Sequence, residues 1–185
     1  MRRLIALSTL LLVTLAGCGG GDSGTDSGTD SGADTSSSSD GGEPAAEAPA
    51  DICGTVAADD VGAAMGVTVT AEDVPGGGCS YEQEDPRAAS ASVSTVPTTD
   101  SNGGFEAAVT GARAVLTEVE ESPVSGIGDQ AIILSGTFSG MGSQATTGLV
   151  DLGGYAVLVQ VLGGDTATHA DLTEAVMKVA VDAMG

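Results

Sequence analysis

The chain has no tryptophan, two tyrosines and two phenylalanines in 185 residues. So few flat rings exclude the sugar-stacking platforms and single-strand nucleic-acid grooves that are built from aromatic side chains. Positive charge is almost as scarce, with five Lys and Arg against 26 Asp and Glu and a formal net charge of −21. Nucleic-acid binding needs Lys and Arg to displace counterions from phosphates, and adhesion to anionic headgroups needs the same residues, so both are excluded. The charge leaves open a solvated surface whose natural complements are cationic partners or divalent ions. There is one histidine, His169, so a hydrolase working near neutral pH would have to use it as its base. No GxSxG segment supplies a matching nucleophile. The three cysteines show no CxxC spacing, and a zinc site therefore lacks ligands. Also missing is any apolar run of the roughly 20 residues that a membrane-spanning helix needs.

The longest apolar run, Leu4 to Ala16, follows Arg2 and Arg3 and has the form of a secretory signal. Leu15-Ala16-Gly17-Cys18 has the pattern of a bacterial lipobox, in which the thiol receives a diacylglycerol and a peptidase then cuts just before it. Residues 1–17 are thus expected to leave as a lipoprotein signal peptide, with Cys18 becoming the acylated first residue. Two or three acyl chains, at about 0.8 kcal/mol per buried methylene, hold a protein stably on a bilayer. The expected location is the extracytoplasmic face of the cell membrane, lipid-anchored through Cys18. With the signal gone, three basic residues remain against 26 acidic ones. Cys53 and Cys79, 26 positions apart, then form an even pair in an oxidising compartment and are expected to bridge. Such a bridge stabilises by about 3 to 4 kcal/mol on the chain-entropy view.

From Gly19 to Ala50 there is no bulky apolar side chain, so this stretch cannot bury enough surface to offset the entropy of ordering. Residues 18–50 read as a disordered tether with a root-mean-square reach of about 30 Å. Asp22, Asp26, Asp30 and Asp34 recur at every fourth position, which extends the tether by repulsion but lacks the alternating oxygens and closing Glu of a calcium loop. Thr25, Thr29 and Thr35 are candidate O-glycosylation positions.

Residues 51–185 read as a single α+β domain, an antiparallel sheet with helices packed on one face. Asp59 to Met65 is a short helix closed by Gly66. Val67 to Thr70, Cys79 to Glu82 and Ala89 to Val96 read as strands, and Gly76-Gly77-Gly78 as a turn. Gly104 to Val119 carries Phe105, Ala108, Val109, Ala112, Val115, Leu116 and Val119 at helical spacing. Ala131 to Phe138, Ala145 to Leu152 and Tyr155 to Leu162 follow as strands, the last two joined by Gly153-Gly154 as a hairpin. Tyr155, Val157, Val159 and Val161 share one face of the last strand while Ala156, Leu158 and Leu162 share the other, so that strand should be central. The final 18 residues form a helix with Leu172, Ala175, Val176, Val179, Ala180 and Ala183 in one stripe, and with Thr166 and Thr168 as caps.

Ile52-Cys53-Gly54-Thr55-Val56, a helix ending Met65-Gly66, Cys79-Ser80-Tyr81, and Gly126-Ile127-Gly128-Asp129-Gln130-Ala131 occur in that order behind the lipobox. This series resembles a family of small actinobacterial extracytoplasmic lipoproteins of unknown function, in which a tryptophan commonly stands where this chain has Tyr81. The resemblance implies an extracytoplasmic α+β domain with one disulfide and no agreed activity.

Other motifs have plainer readings. Gly126 to Ala131 matches a dinucleotide fingerprint by letter but precedes a strand rather than a helix, and reads as a glycine turn with Asp129 bonding its own backbone. His169 reads as a cap or edge residue. Glu82, Glu84 and Asp85 could form a glycosidase pair or cation site but read as a wet loop, and Asp100-Ser101-Asn102-Gly103 reads as a turn. The expected function is a non-catalytic binding module at the envelope, with no cofactor or metal and no ligand site assignable. Its partners would be an envelope protein or a cell-wall component, besides the membrane itself. The alternative is a carrier of a small apolar or lipid ligand in a cavity between sheet and helices. The two readings predict opposite interiors, one filled and one hollow.

Overall fold

The computed structural model describes residues 46–140 and 142–185. The expected signal peptide, Cys18 and the aspartate repeat lie outside the described residues. Seven strands, β1 (Thr70–Asp73), β2 (Gly78–Glu82), β3 (Ser90–Pro97), β4 (Leu116–Val124), β5 (Gln130–Phe138), β6 (Gln144–Asp151) and β7 (Tyr155–Leu162), form one antiparallel sheet in the order β1-β2-β3-β7-β6-β5-β4. The strand with apolar residues on both faces therefore sits fourth of seven, with β3 paired along its whole length and β6 paired from Ala156 to Leu162. Leu152 N–H bonds Tyr155 O across Gly153-Gly154, and Gly153 takes a φ of 76° that a residue with a Cβ adopts only under strain.

Four helices complete the α+β fold: α1 (Ile52–Thr55), α2 (Ala58–Met65), α3 (Gly104–Ala114) and α4 (His169–Met184). Ile52, Val61 and Met65 from the first two and Val56 from the link between them, with Val176, Met177 and Ala180 from α4, pack against Tyr155, Val157, Val159 and Val161. This is the helix-covered face that the sequence suggests. On the opposite face α3 sets Phe105 and Val109 against Leu134, Ala145, Leu149 and Ala156, so the sheet has a smaller second layer there. The two-sided apolar pattern of β7 requires that cover.

Three local expectations change. The helical spacing predicts a stripe that runs to Val119, but α3 ends at Ala114 and Leu116 pairs with Phe138 at the start of β4. Pairing on the open flank of β5 outweighs the weak helical preference of the Val115 to Val119 stretch. β1 begins at Thr70 rather than Val67. The cap of the last helix also moves. Asp165, not a threonine, accepts a hydrogen bond from Ala167 N–H in the 3-10 turn that leads into α4, and Thr168 makes no cap bond through its side chain.

The layer between α4 and the sheet is thin because its side chains are small. Gly148 on β6 makes the approach possible: a Cβ there would stand 2.8 Å from Thr173 Cγ2 and collide with Met177 Sδ. Thr173 is fully buried, and its hydroxyl has no hydrogen-bond partner among the described residues. Two substitutions at this contact should therefore act in opposite directions. Gly148→Ala is expected to destabilise by about 1 to 3 kcal/mol through overpacking. Thr173→Val, which keeps the shape and removes the unpaired hydroxyl, should stabilise by about 1 kcal/mol. Urea unfolding of each variant against the wild type measures both.

Candidate functional site

The Cys53 to Cys79 pairing is present, with 5.0 Å between the Cα atoms, and it fastens α1 to β2. The four-residue α1 is too short to persist alone. Asp51 caps it by accepting from Gly54 N–H at 2.8 Å, and Tyr81, two residues past Cys79 on β2, donates its hydroxyl to Val56 O at 2.8 Å. The staple and the phenol hold this corner from both sides. Tyr155 does the same at the other end of the helical layer, donating to Met184 O at 3.1 Å.

With that corner fixed, the loop from α2 into β1 and the loop from β2 into β3 flank a depression of about 620 Å³ that is open to solvent. Val67 and Val69 lie on one side, and Glu82, Glu84 and Asp85 on the other. The structure thus places the three acidic residues singled out in the sequence on one wall of a concavity, without converging them. The Asp85 carboxylate accepts from Arg87 N–H at 3.0 Å within its own turn, and Glu82 lies 3.5 Å from Ser80 Oγ. No group of three or more His, Cys, Asp or Glu side chains among the described residues could hold a metal ion. Gln83 Nε2 donates to Ala89 O at 2.7 Å and so braces the same loop.

His169 is 2% exposed, a core residue rather than an edge one. Its Nε2 lies 2.5 Å from Gly163 O, and since a carbonyl only accepts, that nitrogen carries the proton. The ring ties the start of α4 to the end of β7, and no serine or cysteine is bonded to it among the described residues. The Gly126 to Ala131 segment is a turn into β5, with Gly126 and Gly128 at φ 81° and 57°. Asp129 is tied there through its backbone N–H to Asp151 O, in place of the side-chain bond read from sequence. Asp100–Asn102 is a single 3-10 turn closed by Gly103.

Smaller depressions lie between α2 and α4, lined by Asp60, Ala63, Val179 and Asp182 at about 400 Å³, and beside the β6–β7 turn, lined by Asp129, Asp151 and Met184 at about 380 Å³. None of these three opens into the core layer of Val157, Val159, Val161, Val176 and Met177. No helix among the described residues is long and apolar enough to cross a membrane. The chain matches no family model, no curated protein and no solved structure.

Burial pushes the Tyr81 phenol from 10.0 up to about 12, and raises Tyr155 as well. The folded state then holds these protons more tightly than the unfolded chain. The Tyr81 contribution to stability is fully present below pH 10.0 and is lost as pH rises towards about 12, and that of Tyr155 is lost in the same direction. Thermal melts across that range should show the alkaline fall. Tyr81→Phe should remove much of it, while costing about 1 to 2 kcal/mol at neutral pH because Val56 O is left without its donor.

Proposed function

We propose that this protein is an extracytoplasmic lipoprotein, anchored in the membrane through acylated Cys18, whose domain serves as a non-catalytic binding module. The observation that carries the binding half of this reading is the filled interior. α4 approaches the sheet until Met177 and Thr173 meet Gly148, and Val157, Val159, Val161, Val176 and Met177 are all fully buried. A carrier of an apolar ligand needs a cavity in that layer, whereas a module that recognises partners at its surface needs a rigid core and an open concave rim.

The path of the chain supports the same reading. Ala46 N–H lies 3.4 Å from Gly153 O at the β6–β7 turn, so the last residues of the tether meet the domain at that end. The depression between Val67 and Asp85 flanks the other end of the sheet, about 25 Å away along eight residues of strand. A partner that docks at that far end leaves the entry of the chain at Ala46 clear. The lipobox at Cys18 and the resemblance to envelope lipoproteins support the address.

Metabolic labelling with palmitate and membrane fractionation test the anchor, and native mass spectrometry of the purified chain tests the interior. Wild type should take up label and sediment with membranes, Cys18→Ser should do neither, and the domain should carry no mass beyond that of its own acyl chains. Label that persists in Cys18→Ser would overturn the anchor. A stoichiometric apolar ligand would overturn the binding module in favour of a carrier.

A further inference from the structure

The sheet has two edges, and they are built differently. β4 carries a register shift between Thr117 and Glu120, with Glu118 at φ 54°, and it includes Pro123, which has no N–H to offer. A bulge, a proline and Glu118, Glu120 and Glu121 together are the usual means of keeping an edge strand from pairing. β1 has neither bulge nor proline. Its register with β2 is unbroken from Thr70↔Glu82 to Asp73↔Cys79, and all four of its residues are exposed.

The hydrogen bond from Val74 N–H to Gly78 O, 3.0 Å, continues that register by one pair. In an antiparallel ladder, bonded and non-bonded pairs alternate. Val74, Glu72 and Thr70 thus direct their backbone groups inward to β2, while Ala71 and Asp73 direct theirs away from the sheet. No hydrogen bond reaches Ala71 or Asp73 from outside the sheet among the described residues. Each offers one N–H and one C=O to an incoming strand.

We infer that the β1 edge is the docking surface of this module, and that its occupant is an extended basic peptide added as an eighth strand. The inference rests on the binding-module reading and names its partner class. Charge selects the occupant. Glu72 and Asp73 flank the free backbone groups, Glu82 and Glu84 stand at the Thr70 end, and the chain beyond residue 45 holds 20 acidic residues against three basic ones. Two of those three, Arg113 and Lys178, are already paired with Glu121 and Glu174. A second copy would bring the Glu72 and Asp73 carboxylates of both chains onto one seam, so self-pairing is opposed by the charges that favour a cationic strand. The depression fits the same occupant. A strand running past Thr70 reaches Val67 and Val69, which accept the aliphatic stem of a Lys or Arg, while Glu82 and Glu84 meet its charged head. Backbone pairing supplies affinity and the acidic flank supplies selection.

The test uses the full chain purified in detergent, with a short alternating Lys-Val peptide as probe. Two controls accompany it: the same peptide methylated on alternate backbone nitrogens, and an alternating Glu-Val peptide. Titration should protect the Ala71 and Asp73 amides from hydrogen exchange, and the affinity should fall with added salt. Both controls should bind at least about tenfold more weakly. Ala71→Pro removes an outward N–H at an edge position that tolerates proline, and should weaken the Lys-Val peptide similarly; its melting temperature and intact disulfide report the fold. Failure of the Lys-Val peptide to bind, protection at other amides, or equal binding by the methylated or the acidic peptide would each overturn the inference. The methylated peptide on wild type keeps the test decisive if Ala71→Pro fails to fold. Absent peptide binding in a chain that still takes up palmitate rejects the docking edge alone, while peptide binding with label retained in Cys18→Ser rejects only the anchor.

Discussion

The fold depends on how closely α4 can approach the sheet. With four aromatic residues in the whole chain, the interior is built mainly from valine, alanine and short polar side chains. Layers made of such residues reach close packing only if the backbones come near one another. Gly148 marks that approach, and the fully buried Val159, which pairs with it across β7, lies in the same layer. The scarce aromatic residues are then free for the margins. Tyr81 and Tyr155 place their rings at the two ends of the helical layer, where each hydroxyl satisfies a carbonyl that ends a helix. The disulfide adds a covalent tie at the corner where α1 has too few residues to hold itself.

A core of modest side chains must also withstand the repulsion of a strongly acidic surface. Only two ion pairs form among the described residues, Arg113 with Glu121 and Lys178 with Glu174, and both are substantially exposed. Pairs of that kind contribute a few tenths of a kcal/mol to about 1 kcal/mol. They cannot balance the remaining carboxylates, so the charge is carried as a solvation layer and a field rather than as a network of bridges. Acidic residues are nonetheless used differently along the chain. On β4 they protect a sheet edge, at Asp51, Asp85 and Asp165 they cap backbone turns, and at Glu72 and Asp73 they stand beside backbone groups with no partner among the described residues.

What was legible in the sequence follows from which elements carry their own signal. β7 declared its central place because both of its faces are apolar, and Gly153-Gly154 announced the hairpin that joins it to β6. α4 showed an uninterrupted stripe, and Cys53 and Cys79 were the only even pair left beyond the lipobox. The misread stretches are those where neighbours decide. Val115 to Val119 has helical spacing, and only the open flank of β5 makes Leu116 onward a strand; the Glu120 to Val124 stretch, given no element in the sequence reading, completes that edge. α1 is invisible to periodicity because four residues make one turn. The position of His169 at the start of a helix suggests a cap or edge residue and says nothing of the Gly163 carbonyl that the β7–α4 turn brings to its ring. Ala156, Leu158 and Leu162 mark a second apolar face on β7, and the α3 layer that covers it emerges only in the structure.

The rim around the depression is held by bonds that would otherwise have suggested chemistry. The imidazole of His169 is engaged with Gly163 O, Gly164 N–H with Arg87 O, and Gln83 with Ala89 O, so the β2–β3 loop and the turn into α4 brace each other. A general base must be able to reach a substrate proton, and a buried ring already donating to the backbone is placed for positioning instead. Loops fixed in this way lose little freedom when a partner arrives, and association then forfeits less to ordering. A closely packed helical layer and a braced rim give the described surface a fixed shape. The features left without intramolecular partners are the ones at which a second molecule can add contacts the domain does not already make.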